Sequence, residues 1–136
     1  MAKKTYHGSC RCKQITYEVD LDLAGDGTGK CNCTYCGKMR WWGARATPET
    51  FRLLSGGGAL GYGFTRERFF ERGLCTSCKV TPFNWGHVPE IGGNYVSVNV
   101  ACLDDVDPAE LLAAPVRYMD GLHDNWFNPP SETRHL

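Results

Sequence analysis

Long apolar runs are missing from this chain: no stretch approaches the ~18 consecutive apolar residues of a membrane-spanning helix. An excess of one charge is missing too. Lysine and arginine together number 15, as do aspartate and glutamate, so the formal net charge is zero. No basic block stands out, which argues against a nucleic-acid partner bound by neutralising phosphates. The stretch MAKKTYHGSC carries lysines but no apolar segment of a secretory signal, so the expected location is cytoplasmic. Repeats and linkers are absent, and 136 residues are read as a single domain, 1–136, around one core.

Strand patterns dominate what is there. In KQITYEVDLDL, Ile15, Tyr17, Val19 and Leu21 alternate with polar residues, the period-2 signature of a half-buried strand. AGDGTGK then reads as a turn, with Gly25, Gly27 and Gly29 supplying positive-φ freedom. Phe51 and Leu53 alternate further on, as do Leu60, Tyr62 and Phe64. In NYVSVNVACL, Val96, Val98, Val100 and Cys102 fall on one face. Only DVDPAELLAA predicts a helix: Asp107 is a good N-cap, Pro108 suits the first turn and Glu110 completes a capping box. The tail, 117–136, is expected as extended chain laid on the core. The fold class expected is therefore all-β with one short helix.

Eight cysteines are many for a reducing compartment, and metal ligation explains them better than disulfides. They cluster as Cys10 and Cys12, then Cys31, Cys33 and Cys36, then Cys75 and Cys78, with Cys102 alone. A Cys-x-x-Cys turn lets two sulfurs reach one tetrahedral zinc, and separated pairs commonly combine. Joining the outer pairs gives a closed four-cysteine site: Cys10, Cys12, Cys75 and Cys78. The central claw then holds three ligands, with Cys102 as a candidate fourth. Cys102 also continues the valine face, and free cysteine is among the most buried residue types. On that core reading the claw keeps an open position, the mark of a catalytic rather than a structural zinc. The alternative is a second structural site closed by Cys102 or by one of His7, His87, His123 and His135.

Taken together, HGSCRCKQITYEV, CNCTYCGK, FFERGLCTSC and VSVNVACLDDVDPAELLAAPV resemble the glutathione-dependent formaldehyde-activating enzyme family, whose relatives include centromere protein V. The resemblance runs from about His7 to Val116. It implies a β-tent of small stacked antiparallel sheets around a zinc ribbon. It also implies two zinc ions: a structural one on Cys10, Cys12, Cys75 and Cys78, and a catalytic one on Cys31, Cys33 and Cys36. The implied activity joins glutathione, or a similar small thiol, to formaldehyde as an S-hydroxymethyl adduct, a carbon–sulfur lyase reaction run in synthesis. A non-catalytic zinc module, acting as glutathione carrier or protein-interaction scaffold, is the alternative. Two departures from the family pattern stand out. Lys79 follows the last ligand where glycine is usual, and left-handed backbone there would cost a lysine about 1 kcal/mol. The tail RYMDGLHDNWFNPPSETRHL resembles one bacterial branch of the family.

Glutathione carries two carboxylates, so cations near the claw are candidate partners. Lys38 and Arg40 are the foremost, followed by Arg45. Trp41 and Trp42 are expected as core and rim, since strand neighbours face opposite ways. Tyr35, between two ligands, is a candidate proton donor to the new alkoxide.

Overall fold

The computed structural model describes residues 3–61 and 70–136, with backbone alone at 70 and 71. β1 (Lys4–Ser9) and β2 (Thr16–Leu21) pair antiparallel, with Gly8 opposite Tyr17. A Cβ at Gly8 would lie 2.3 Å from the Tyr17 ring, so the close approach requires glycine. Tyr17 is fully buried, its ring centroid 5.1 Å from that of Phe51 and 5.6 Å from that of Phe83. Ile15 and Val19, also fully buried, follow the alternation read from the sequence. Each contributes about 1.5–3 kcal/mol through burial.

After β2 the chain forms α1 (Leu23–Asp26), where the sequence suggested a glycine turn. The Asp22 carboxylate caps it by accepting the Gly25 N–H at 3.0 Å. Of the three glycines there, Gly27 alone has positive φ, 75°. Next come β3 (Thr28–Cys31), α2 (Thr34–Met39), β4 (Trp42–Ala46), β5 (Phe51–Ser55), β6 (Leu60–Gly61), β7 (Phe70–Arg72) and β8 (Leu74–Cys75). They are followed by β9 (Phe83–Val88), β10 (Gly93–Asn99), α3 (Pro108–Ala113) and β11 (Val116–Met119). α3 is the helix predicted, with both hydrogen bonds of its capping box in place between Asp107 and Glu110. Tyr62 and Phe64 lie outside the described residues.

The described strands form an all-β fold of small sheets. A three-stranded sheet has the order β1-β2-β5, a six-stranded sheet β11-β3-β4-β10-β9-β7, and a two-stranded ribbon β6-β8. One pairing departs from the antiparallel expectation: β11 runs parallel to β3, with Met119 beside Cys31. Parallel partners need a long crossover, and here almost the whole domain supplies it. β10 ends at Asn99, and Val100–Cys102 turns into a 3-10 helix. Val96, Val98 and Val100 are buried, whereas Cys102 is half-buried and off the strand face.

Candidate metal centre

The first cysteine group is built from two tight turns. The loop joining β1 to β2 carries Cys10 and Cys12, and is closed by Cys10 N–H to Ile15 O at 3.1 Å and Lys13 N–H to Cys10 O at 3.2 Å. The turn after β8 carries Cys75 and Cys78, closed by Lys79 N–H to Cys75 O at 2.8 Å. Both turns put a lysine into left-handed backbone, Lys13 at φ 64° and Lys79 at φ 69°, so the strain suspected at Lys79 is real and occurs twice. Cys10 Sγ lies 3.6 Å from Cys12 Sγ, which lies 3.7 Å from Cys75 Sγ. Four sulfurs ~2.3 Å from a central ion in a tetrahedron would stand about 3.8 Å apart, so these spacings fit a metal–thiolate site. Val80 N–H, ahead of the neighbouring groups, holds the Cys78 thiol down at about 6. The Cys78 N–H does the same in direction for Cys75. Against the Gln14 N–H, burial and the Cys10, Cys75 and Cys78 sulfurs push Cys12 up to about 11, so Cys75 and Cys78 are the readily ionised thiols of the group, of the kind a metal requires.

The second group is the claw. Cys31 ends β3, Cys33 is the N-cap of α2 and Cys36 lies one turn into that helix; their sulfurs all lie within 4.8 Å of one another. α2 escaped the sequence reading because six residues with no apolar stripe carry no helical period. Its start is set by the claw itself: Cys36 N–H donates to Cys33 Sγ at 3.3 Å, so sulfur does the work of a capping oxygen. Cys31 and then Cys36, as its sulfur neighbours, hold Cys33 far below an ordinary thiol, while Cys31 and Cys33 push Cys36 up.

Among the described residues no further Cys, His, Asp or Glu joins the claw. Cys102 stands off toward the other group: burial first, then Asp104, Cys10 and Cys78, push its thiol up to about 11. Three of the histidines are hydrogen-bonded through their rings to other residues. His7 bonds Asp105 at 2.9 Å, His87 bonds Asn94 at 2.8 Å and His123 bonds Asp120 at 2.9 Å. His135 gives its carbonyl to Arg40.

The turn after β11 roofs the claw. Asn32, between two of the cysteines, donates to Asp120 at 2.8 Å and accepts the Leu122 N–H at 2.9 Å. A Cβ on Gly121 would sit 2.7 Å from Cys31 Sγ and 2.5 Å from the Trp126 ring. Beside the claw opens a cavity of about 180 Å³, lined by Cys31, Cys36, Lys30, Arg40 and Leu136 together with the two tryptophans. Trp41 precedes β4, so strand alternation does not govern it, and both indoles face the cavity: Trp41 donates to Ser97 at 3.1 Å and Trp42 to Thr28 at 2.8 Å. Of the three cations proposed from the sequence, all exposed, Arg40 lines the cavity, whereas Lys38 and Arg45 do not. Nor does Tyr35, whose hydroxyl is buried and whose ring lies 3.8 Å beneath the Arg72 guanidinium. Lys30, Asn32, Asp120, Gly121 and Leu136 were missed, because nothing in local patterning reveals that the tail meets β3. A larger apolar depression of about 460 Å³, floored by Phe51, Phe83 and Trp85, contains none of the clustered cysteines.

No helix among the described residues is long and apolar enough to cross a membrane. No curated protein sequence matches the chain. A crystal structure of a Rhodobacter sphaeroides protein superposes with a TM-score of 0.66 at 24% identity, covering 83% of this chain and 99% of that one. At that identity the likeness concerns the fold. The family model of the glutathione-dependent formaldehyde-activating enzyme matches residues 5–118, a span that takes in all seven clustered cysteines. The chain belongs to the glutathione-dependent formaldehyde-activating enzyme family.

Proposed function

We propose that the protein binds two zinc ions and joins a small thiol of the glutathione type to formaldehyde, or cleaves that adduct, at the Cys31–Cys33–Cys36 claw. Cys10, Cys12, Cys75 and Cys78 hold the structural ion in this reading. The observation that carries it is the contrast between the groups: four sulfurs in one, and three in the other beside an open cavity. Zinc on the three sulfurs would supply the charge that lets an incoming thiol lose its proton at neutral pH. A free thiol is only a few per cent ionised there, so full ionisation is worth roughly 2 kcal/mol, at about 1.36 kcal/mol per pKa unit.

The rest falls to the chain. Trp41 and Trp42 wall the cavity and exclude water. Arg40 supplies a positive charge for the thiol's carboxylate. The Asn32–Asp120 bond ties the claw loop to its roof, and the cavity holds the incoming thiol and the aldehyde carbon together rather than leaving them to meet by diffusion. In the reaction a sulfur–carbon bond forms, the carbonyl π-bond breaks, and the proton lost by the thiol ends on the new hydroxyl. No oxidant or reductant is required.

Native mass spectrometry of the purified protein, with and without glutathione, tests this. The expected result is two zincs plus one glutathione, with the adduct lost and the fold kept in Cys33→Ser, whereas Cys75→Ser unfolds its turn. Two zincs that ignore every thiol would overturn the reading in favour of a structural module.

A further inference from the structure

Two cations line the claw cavity, and both are engaged by the same short piece of chain. Arg40 Nη1 donates to the carbonyl of His135 at 2.8 Å, and Lys30 Nζ to the Leu136 oxygen at 3.3 Å. Among the described residues neither cation has an acidic side chain within ion-pair distance. Lys30 is further placed by the Trp42 ring, 4.9 Å from its ammonium. One nitrogen of the Arg40 guanidinium and the Lys30 ammonium thus each hold one oxygen, and an arginine and a lysine converging on neighbouring oxygens are cations of the kind with which proteins bind a carboxylate.

The backbone adds an independent observation. Arg40 is the C-cap of α2 with φ 56° and ψ 44°, the left-handed region. Glycine is the low-cost residue at that position, and an arginine is strained there. Strain of this kind is retained where the side chain has work to do, and this side chain lines the cavity. The volume adds a third. At about 180 Å³ the cavity is smaller than the ~300 Å³ at which ligand pockets begin, and Leu136 forms part of its wall.

Resting on the reading of the claw as an open thiol site, we propose that Lys30 and Arg40 are the carboxylate-binding end of that site. We further propose that residues 135–136 form a strap occupying it in the resting protein. The main-chain oxygens of His135 and Leu136 stand in for the oxygens of a ligand carboxylate. A carboxylate-bearing thiol then binds by displacing the strap: its carboxylate takes over both cations, and the departure of Leu136 enlarges the cavity.

The test uses the zinc-loaded, full-length protein and calorimetric titration with two small thiols, 3-mercaptopropionate and 2-mercaptoethanol, which differ chiefly in a carboxylate. The expected result is binding of 3-mercaptopropionate about tenfold or more tighter, as charge-assisted hydrogen bonds provide. Arg40→Gly and Lys30→Gln should each remove most of that preference and, because each also releases one hold on the strap, should leave 2-mercaptoethanol binding no weaker than in the parent. Arg40→Gly should also keep or raise the melting temperature, because it relieves the left-handed strain; a purely structural arginine would not give that combination. A His135→Gly, Leu136→Gly double variant, which loosens the strap without shortening the chain, should bind both thiols several-fold more tightly. Equal affinity for the two thiols in every variant would overturn the proposal while leaving the open claw standing. Failure of either thiol to bind any variant would overturn the open claw itself, and this proposal with it.

Discussion

Gly121→Ala is the sharpest probe of how the claw is held. The added methyl would stand 2.5 Å from the Trp126 ring and 2.7 Å from Cys31 Sγ, both inside van der Waals contact, so one neighbour must yield. Gly121 is not at positive φ, so the penalty is one of space and not of backbone. Trp126 is 45% exposed and tethered by its Nε1–H to Asp124 at 2.7 Å, whereas Cys31 is 5% exposed and fixed at the end of β3. Overpacking of this size costs about 1–3 kcal/mol. If it is borne by the sulfur, affinity for metal at the claw falls about 5- to 150-fold. The other cysteine group shares no residue with the roof and should be untouched. Titration of the two-metal protein with a graded chelator series separates the two losses. The first metal should leave the variant at a chelator strength at least fivefold lower than in the parent, and the second at an unchanged strength. Parallel release curves for the two proteins would refute the idea that residues 120–126 bear on the claw.

Lys79→Gly relieves left-handed backbone at φ 69°. The gain of about 1 kcal/mol, less some unfolded-state entropy, should appear as a small rise in denaturation midpoint with both metals retained. His7 gives a pH dependence. Its hydrogen bond to Asp105, above all, raises its pKa over the ordinary 6.5. Its stabilising share is therefore complete below pH 6.5, and is lost as pH rises through the raised folded value. Urea titrations above pH 6.5 should show His7→Gln flattening that decline; an unchanged slope would remove His7 from the account.

Legibility in the sequence followed the range of each interaction. β2 and α3 were readable because alternation and the Asp107–Glu110 box are local patterns. The grouping of the cysteines was readable because the spacing within each cluster is itself a chemical constraint. α2 was not, since a sulfur cap and six residues imitate a loop. The 3-10 turn at Cys102 was hidden by a valine alternation that runs past the true end of β10 at Asn99. Lys30 could not be chosen over Lys38, because only the return of the tail onto β3 and α2 tells one side of the claw from the other. The family resemblance supplied the expectation of two unequal metal sites, and the gathering of four sulfurs in one group and three in the other is the physical basis for it.

The parallel pairing of β11 with β3 also constrains the order of assembly. Asn32 and Asp120, which link the claw to its roof, are 88 positions apart. Such a contact adds heavily to contact order and closes late in folding. A chain emerging from the ribosome can bring Cys10 and Cys12 to Cys75 and Cys78 while the claw strand, already beside β4, still lacks β11. If both groups take metal as proposed, they would then be loaded in sequence, the claw being completed only after the group on Cys10, Cys12, Cys75 and Cys78 has formed.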